Sequence, residues 1–234
     1  MLLAFNTIIT EKYKFGFDEK TLPFIMNGFP FEIVHLGDET LTQFTSDNKL
    51  FSKYSHLLIT GSSLSASQGS KWNEIIISII KYFVKMGRPI LGICHGHQMI
   101  AKAIAGDDVC RKVEIPEFGW KNIKIKKNHI FKGISIPVFL ESHYDEVYNL
   151  PEEFNIIAAN SDCAVQAFQY RNLPIWGVQF HPEMQYDDGN EMVQEHLNDN
   201  PQDSKFYKDE LKSKTQIDQN FNIFKNFISS KSQE

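Results

Sequence analysis

The stretch from Arg88 to Gly106 restricts the fold more than any other part of the chain. Pro89 to Ile93 is a short apolar run, preceded by Gly87 and containing Gly92, and reads as a buried strand; Gln98 to Ala105 carries apolar residues at helical spacing. Cys94 therefore falls on a sharp strand-to-helix turn. Gly92 and Gly96 flank it two residues away on each side, a pattern that permits the close packing a nucleophile elbow requires. A thiol gains twice at such a corner. The helix N-terminus stabilises negative charge, and its free N–H groups can hold an oxyanion.

A thiol nucleophile needs a base, and the base a third group to orient it. Leu173 to Glu183 offers both: an apolar strand delivers His181 at its end, and Glu183 follows after Pro182. Alternation along an extended chain points both side chains the same way.

The rest of the chain supplies a sheet to carry these ends. Leu2 to Ile9 reads as a strand, Glu19 to Asn27 as a helix stopped by Gly28, and Phe31 to Leu36 as a returning strand. After a polar stretch, Asp38 to Lys53, His56 to Gly61 forms another buried strand. The Ser/Gly-rich loop Gly61 to Ser70 leads into an amphipathic helix, Lys71 to Met86. Strands alternating with helices predict an α/β fold: three layers, a flavodoxin-like, mostly parallel central sheet with helices on both faces, and ligands beyond the carboxyl ends of the strands. Gly61 and Cys94 both lie at such ends. Their loops are expected to be neighbours, which makes Gly61 and Ser62 candidates for an oxyanion site alongside the N–H of His95.

Beyond Gly106 the pattern changes to short strands at 121–126, 137–140, 145–148, 155–159, 164–170 and 175–180, a mixed or antiparallel extension of the sheet. Ile123 and Ile125 alternate with lysines, as on a strand wet on one face. From Met184 the sequence is polar and helix-prone, so the whole of 1–234 is expected to form one domain with 184–234 as a helical C-terminal extension. The aromatic residues near the end are expected on a helix docked against the sheet, and Asp187, Asp188, Glu191 and Glu195 on a solvated face.

With 234 residues, 42% of them hydrophobic, the chain can bury a sizeable core. A net charge of -5 gives no reason to expect nucleic acid or a membrane surface as partner, and small polar molecules are the default ligands. The N-terminus lacks a basic leader and no apolar run reaches the roughly 20 residues of a membrane span, so a soluble, cytoplasmic protein is expected. Three widely spaced cysteines, Cys94, Cys110 and Cys163, form neither a disulfide scaffold nor a zinc framework, and Cys110 and Cys163 read as buried thiols. No metal and no cofactor is expected: His95 and His97 lack a partner pair at metal spacing. His35, His56, His129 and His196 have no motif around them.

Gly92-Ile-Cys-His-Gly-His-Gln98 together with Gly177-Val-Gln-Phe-His-Pro-Glu183 resembles the two catalytic motifs of class I glutamine amidotransferases, with Cys94, His181 and Glu183 at the triad positions. The likeness runs from about Leu57 to Glu183. His95 beside the cysteine is also similar to a related stress-protein and peptidase superfamily; Gln98 and the later His181-Pro-Glu183 favour the amidotransferases. The family's oxyanion loop carries two glycines and a proline, whereas Ser62 and Ser63 stand here for the second glycine and the proline. Glu141 to Val147 resembles the segment bordering bound glutamine, which implies that Ser142, His143 and Tyr144 hold the amino-acid end while Gln98 meets it from the elbow helix. The implied chemistry is amide cleavage through a Cys94 thioester, with ammonia passed to an acceptor that a separate synthetase subunit would carry. Two alternatives stay open: a free-standing γ-glutamyl peptidase or hydrolase, and a catalytically idle metabolite-binding module.

Overall fold

The computed structural model describes residues 1–38, 41 and 48–232; part of the polar stretch Asp38 to Lys53 lies outside them. In chain order the strands are β1 (Leu2–Asn6), β2 (Phe31–His35), β3 (His56–Ile59), β4 (Ile90–Ile93), β5 (Cys110–Asn122), β6 (Lys124–Ile125), β7 (Val138–Val147), β8 (Phe154–Ala159), β9 (Ala167–Tyr170) and β10 (Ile175–Val178). Eight of them form one sheet in the order β2-β1-β3-β4-β10-β9-β8-β6. The first five are mutually parallel, and β9, β8 and β6 add antiparallel partners beyond β10. An order of 2-1-3-4 followed by a fifth parallel strand is the flavodoxin-like arrangement.

Period-two alternation sends the strand side chains into two apolar layers. Leu3, Phe5, Leu57, Ile59 and Ile90 face one side with Ile76, Ile79, Ile80 and Phe83 of α3 (Asn73–Lys85) and Met99 and Ile100 of α4 (His95–Ala105). Leu2, Ala4, Leu58 and Leu91 face the other, with Leu22, Ile25 and Met26 of α2 (Leu22–Met26) and Ile223, Phe224 and Phe227 of α6 (Asn222–Ile228). No described helix is long and apolar enough to cross a membrane.

Two features differ from the sequence-based expectation. The first helix begins earlier, at α1 (Glu11–Gly16), and continues through a π-helical turn, Phe17–Thr21, into α2, where left-handed Asn27 ends it just before Gly28. Secondly, 137–140 and 145–148 are not separate strands of the main sheet. They are the two ends of β7, which pairs with β5 in its own two-stranded ribbon, and α5 (Tyr186–Asp199) covers it through Val193 on Phe118, Trp120 and Leu140. Lys124 and Lys126, which alternate with Ile123 and Ile125, are exposed as the pattern predicts, while Lys121 is buried with its ammonium 2.8 Å from Glu117 and 3.0 Å from Asp162.

Candidate active site

Backbone geometry puts Cys94 where a nucleophile is needed. β4 ends at Ile93, α4 starts at His95, and Cys94 between them has φ 48°, ψ -104°, a strained conformation for a residue with a β-carbon. The close passages around it demand glycine. A β-carbon on Gly92 would sit 2.4 Å from the Gly96 carbonyl oxygen, and one on Gly96 would sit 2.5 Å from that of Ile59. The Cys94 N–H donates to Val178 O of β10 at 2.8 Å, which ties the elbow to the strand bearing the second motif.

Three residues past the end of β10, His181 turns back to the elbow. Its N–H donates to Leu140 O of the ribbon at 2.8 Å, and its Nδ1 lies 2.8 Å from Glu183 Oε1. Cys94, His181 and Glu183 are all buried, and all three line one cavity. Burial disfavours a charged His181, but the Glu183 charge and hydrogen bonding with Cys94 outweigh it and hold the imidazole well above its ordinary pKa. The elements therefore bring the thiol, the imidazole and the carboxylate together.

Gly61 completes the wall. A β-carbon on it would lie 3.5 Å from Cys94 Cβ. Its carbonyl accepts from the hydroxyls of Thr7 at 3.2 Å and Thr60 at 3.0 Å. A trans peptide sends C=O and the following N–H in opposite directions, so the Ser62 N–H is turned away from the threonine pair, and Gly61 and Ser62 both line the cavity. At the elbow, the N–H groups of the first turn of α4, starting with His95, have no acceptor within the helix.

The family model for "Glutamine amidotransferase class-I" matches residues 27–199. The chain belongs to this family. Among the chain's curated relatives, a glutamine-hydrolyzing GMP synthase subunit of Pyrococcus furiosus is 44% identical over 108 residues, 45% of this chain and 56% of the relative. The protein of the same description from Methanosphaera stadtmanae is 39% identical over 132 residues, 55% and 66% of the two chains. The chain thus spans little more than half the length of the first of these. A solved glutamine amido transferase of Methylobacillus flagellatus superposes with a TM-score of 0.71 at 18% identity, covering 100% of this chain and 96% of that one. A solved structure from Thermoplasma acidophilum, described as a GMP synthase subunit, gives 0.63 at 22% identity, covering 98% and 96%. Both show the same fold.

The remaining candidates separate. Gln98, Ser142, His143 and Tyr144 all line the cavity, and the Ser142 carbonyl lies 3.9 Å from Cys94 Sγ. Gln98 uses its amide N–H groups on Asp145 O at 2.9 Å and Gln179 Oε1 at 3.0 Å. The Tyr144 hydroxyl is taken by Asp203 and His196. The His143 side chain is engaged by two carboxylates behind that wall. Its ring is buried between Glu117, 3.1 Å away, and Glu141, 3.3 Å away, and these carboxylates outweigh the effect of burial to push it up to about 10. Burial raises Glu141 in turn to about 7. Glu117, Glu141 and His143 are spaced for a metal ion, but the Lys121 ammonium on Glu117 already supplies a cation there.

His95 and His97 are buried, and burial lowers them to about 4 and about 3, so both are neutral at pH 7. Sequence reasoning missed Glu117, Glu141, Lys102 and Asp145. Glu141 and Asp145, two residues on either side of His143, carried a usable signal, since alternation puts all three on one face of β7.

Proposed function

We propose that the chain cleaves the side-chain amide of glutamine through a thioester on Cys94. Cys94 as thiolate attacks the carboxamide carbon, and the oxygen takes the electron pair facing the N–H groups of Ser62 and His95. His181, protonated and held by Glu183, gives its proton to the nitrogen, and ammonia leaves as the C–N bond breaks. Neutral His181 then removes a proton from water, whose oxygen attacks the thioester carbon. Glutamate departs and Cys94 is again a thiolate. Gln98, Ser142 and Tyr144 border the amino-acid end. The observation that carries this reading is the convergence of Cys94, His181 and Glu183 on one cavity wall.

The relatives described as glutamine-hydrolyzing GMP synthase subunits support a further step: the ammonia passes to a synthetase on a separate chain, as part of GMP synthesis. A second reading, a γ-glutamyl peptidase or hydrolase, draws on the cavity itself. At about 970 Å³ it extends past the triad to Phe15 and to the ion pair of Lys12 with Glu191, and that volume leaves room for a leaving group larger than ammonia.

Intact-mass measurement after exposure to a diazo-ketone analogue of glutamine, with Cys94→Ala as control, tests the reading alongside ammonia release. Labelling with ammonia release supports glutamine hydrolysis; labelling without it, even with a GMP synthetase chain present, favours the γ-glutamyl substrate. Absence of labelling removes Cys94 as nucleophile and leaves a binding module.

A further inference from the structure

The loop from Gly61 to Ser70 contains no proline and has four serines in its first seven residues, yet it must hold one backbone N–H in a fixed place opposite Cys94. A flexible loop would spend binding energy on ordering itself at each turnover. The structure supplies the order from outside. Asp145, on β7, is buried, and each hydrogen-bond partner of its carboxylate among the described residues lies on this loop. Oδ2 accepts from the Ser65 hydroxyl at 2.7 Å and the Ser67 N–H at 3.0 Å; Oδ1 accepts from the Ser67 hydroxyl at 2.9 Å. From the elbow helix, the buried ammonium of Lys102 donates to Ala66 O at 2.7 Å. Opposite charges on two different elements thus grip consecutive residues of one arc, with bonds of the stronger, charge-assisted kind.

Asp145 is also fixed itself. Its carbonyl accepts from Gln98 Nε2 at 2.9 Å and is 3.0 Å from His143 Nδ1, so the ribbon, the elbow helix and the loop meet at this residue. The upstream end of the loop is pinned by the Thr7 and Thr60 hydroxyls on Gly61 O. With both ends held, the Ser62 peptide between them has little freedom.

We infer that Asp145 is a positioning residue that sets the backbone of the Gly61–Ser67 loop and, through it, the oxyanion-facing N–H of Ser62. It does for a serine loop what ring rigidity does for a proline-containing one. The inference rests on the amide-hydrolysis reading for its catalytic half and on geometry alone for its structural half.

The test uses the full chain and the variants Asp145→Ala and Asp145→Asn, read in three ways. Alkylation of Cys94 by iodoacetamide needs the thiol and His181 but no oxyanion site. Ammonia release from glutamine gives kcat and KM, and hydrogen exchange at residues 62–68 reports the loop. For Asp145→Ala the loop amides exchange faster, kcat falls roughly 10- to 100-fold, and KM and the alkylation rate stay within about threefold of the wild type. Asp145→Asn, which keeps one acceptor oxygen, recovers part of the loss. Wild-type exchange and kcat in Asp145→Ala would overturn the inference, and so would an alkylation rate that falls in step with kcat, because that marks collapse of the whole site. If the wild type is labelled by neither reagent and releases no ammonia, the hydrolysis reading fails and takes the catalytic half with it, while the exchange measurement still decides whether Asp145 holds the loop.

Discussion

Gly61 stands so close to His181 that a β-carbon on it would lie 2.9 Å from the imidazole Cε1. The ring cannot give way freely, because Glu183 holds its Nδ1 at 2.8 Å. Gly61→Ala is therefore expected to push His181 off its line to Cys94 and lower ammonia release roughly 100-fold. Circular dichroism and melting should show a fold close to that of the wild type. Full activity in this variant would mean that His181 is not the base.

Cys94→Ala removes the attacking group and leaves a side chain that tolerates the same backbone as cysteine. We expect glutamine hydrolysis and diazo-ketone labelling to vanish together while melting changes little. Labelling that survives, located by peptide mapping on Cys110 or Cys163, would refute the assignment; burial pushes Cys110 up to about 12 and holds Cys163 well above the usual thiol value, so both should stay inert.

Glu183→Gln keeps the shape but removes the charge that holds His181 well above its usual pKa. Activity should drop about 100- to 10,000-fold. In a nitrogen NMR titration, the His181 ring should lose its proton at lower pH than in the wild type. An unchanged ring titration would show that Cys94, not Glu183, controls the imidazole.

His143 titrates in the folded protein near 10 against about 6.5 in an unfolded chain. A raised folded pKa stabilises fully below pH 6.5, and that stability is lost as pH rises through about 10, since the unfolded chain has already released its proton. Melting temperature should fall across this window. His181 acts with the same sign, so His143→Gln is expected to reduce the steepness and not abolish it. At pH 7 the variant should lose about 3–5 kcal/mol, the usual cost of leaving one side of a buried ion pair unmatched. An unaltered slope would place the proton elsewhere.

Some of this architecture was legible before any coordinates, and some was not, for physical reasons. Cys94, His181 and Glu183 could be placed because short apolar runs ending in glycine or a polar residue mark strand ends, and strand ends are where a doubly wound sheet puts its chemistry. The start of α1 was missed because Tyr13, Phe15 and Phe17 recur every second residue and Gly16 interrupts them, which does not look helical. The ribbon was missed because β5 mixes Arg111, Lys112, Glu114 and Glu117 with Pro116, and its register shifts between Lys112 and Glu117. The pairing of His143 with Glu117 was not legible because Glu117 lies 26 residues upstream. Local pattern carries no record of such a pairing. The same holds for Lys121, whose burial depends on Glu117 and on Asp162, 41 residues away.

Strands β4 and β10 are neighbours, with Ile93 opposite Val178. The thiol thus begins one residue past one strand and the imidazole three residues past the next, and the gap between them inherits the roughly 4.8 Å repeat of the sheet. That repeat comes from backbone hydrogen bonds, which every residue type can make. Sequence drift in the two strands can therefore alter packing, stability or breathing without changing how far the thiol stands from the imidazole; that spacing is inherited from the peptide backbone and is largely insulated from mutation.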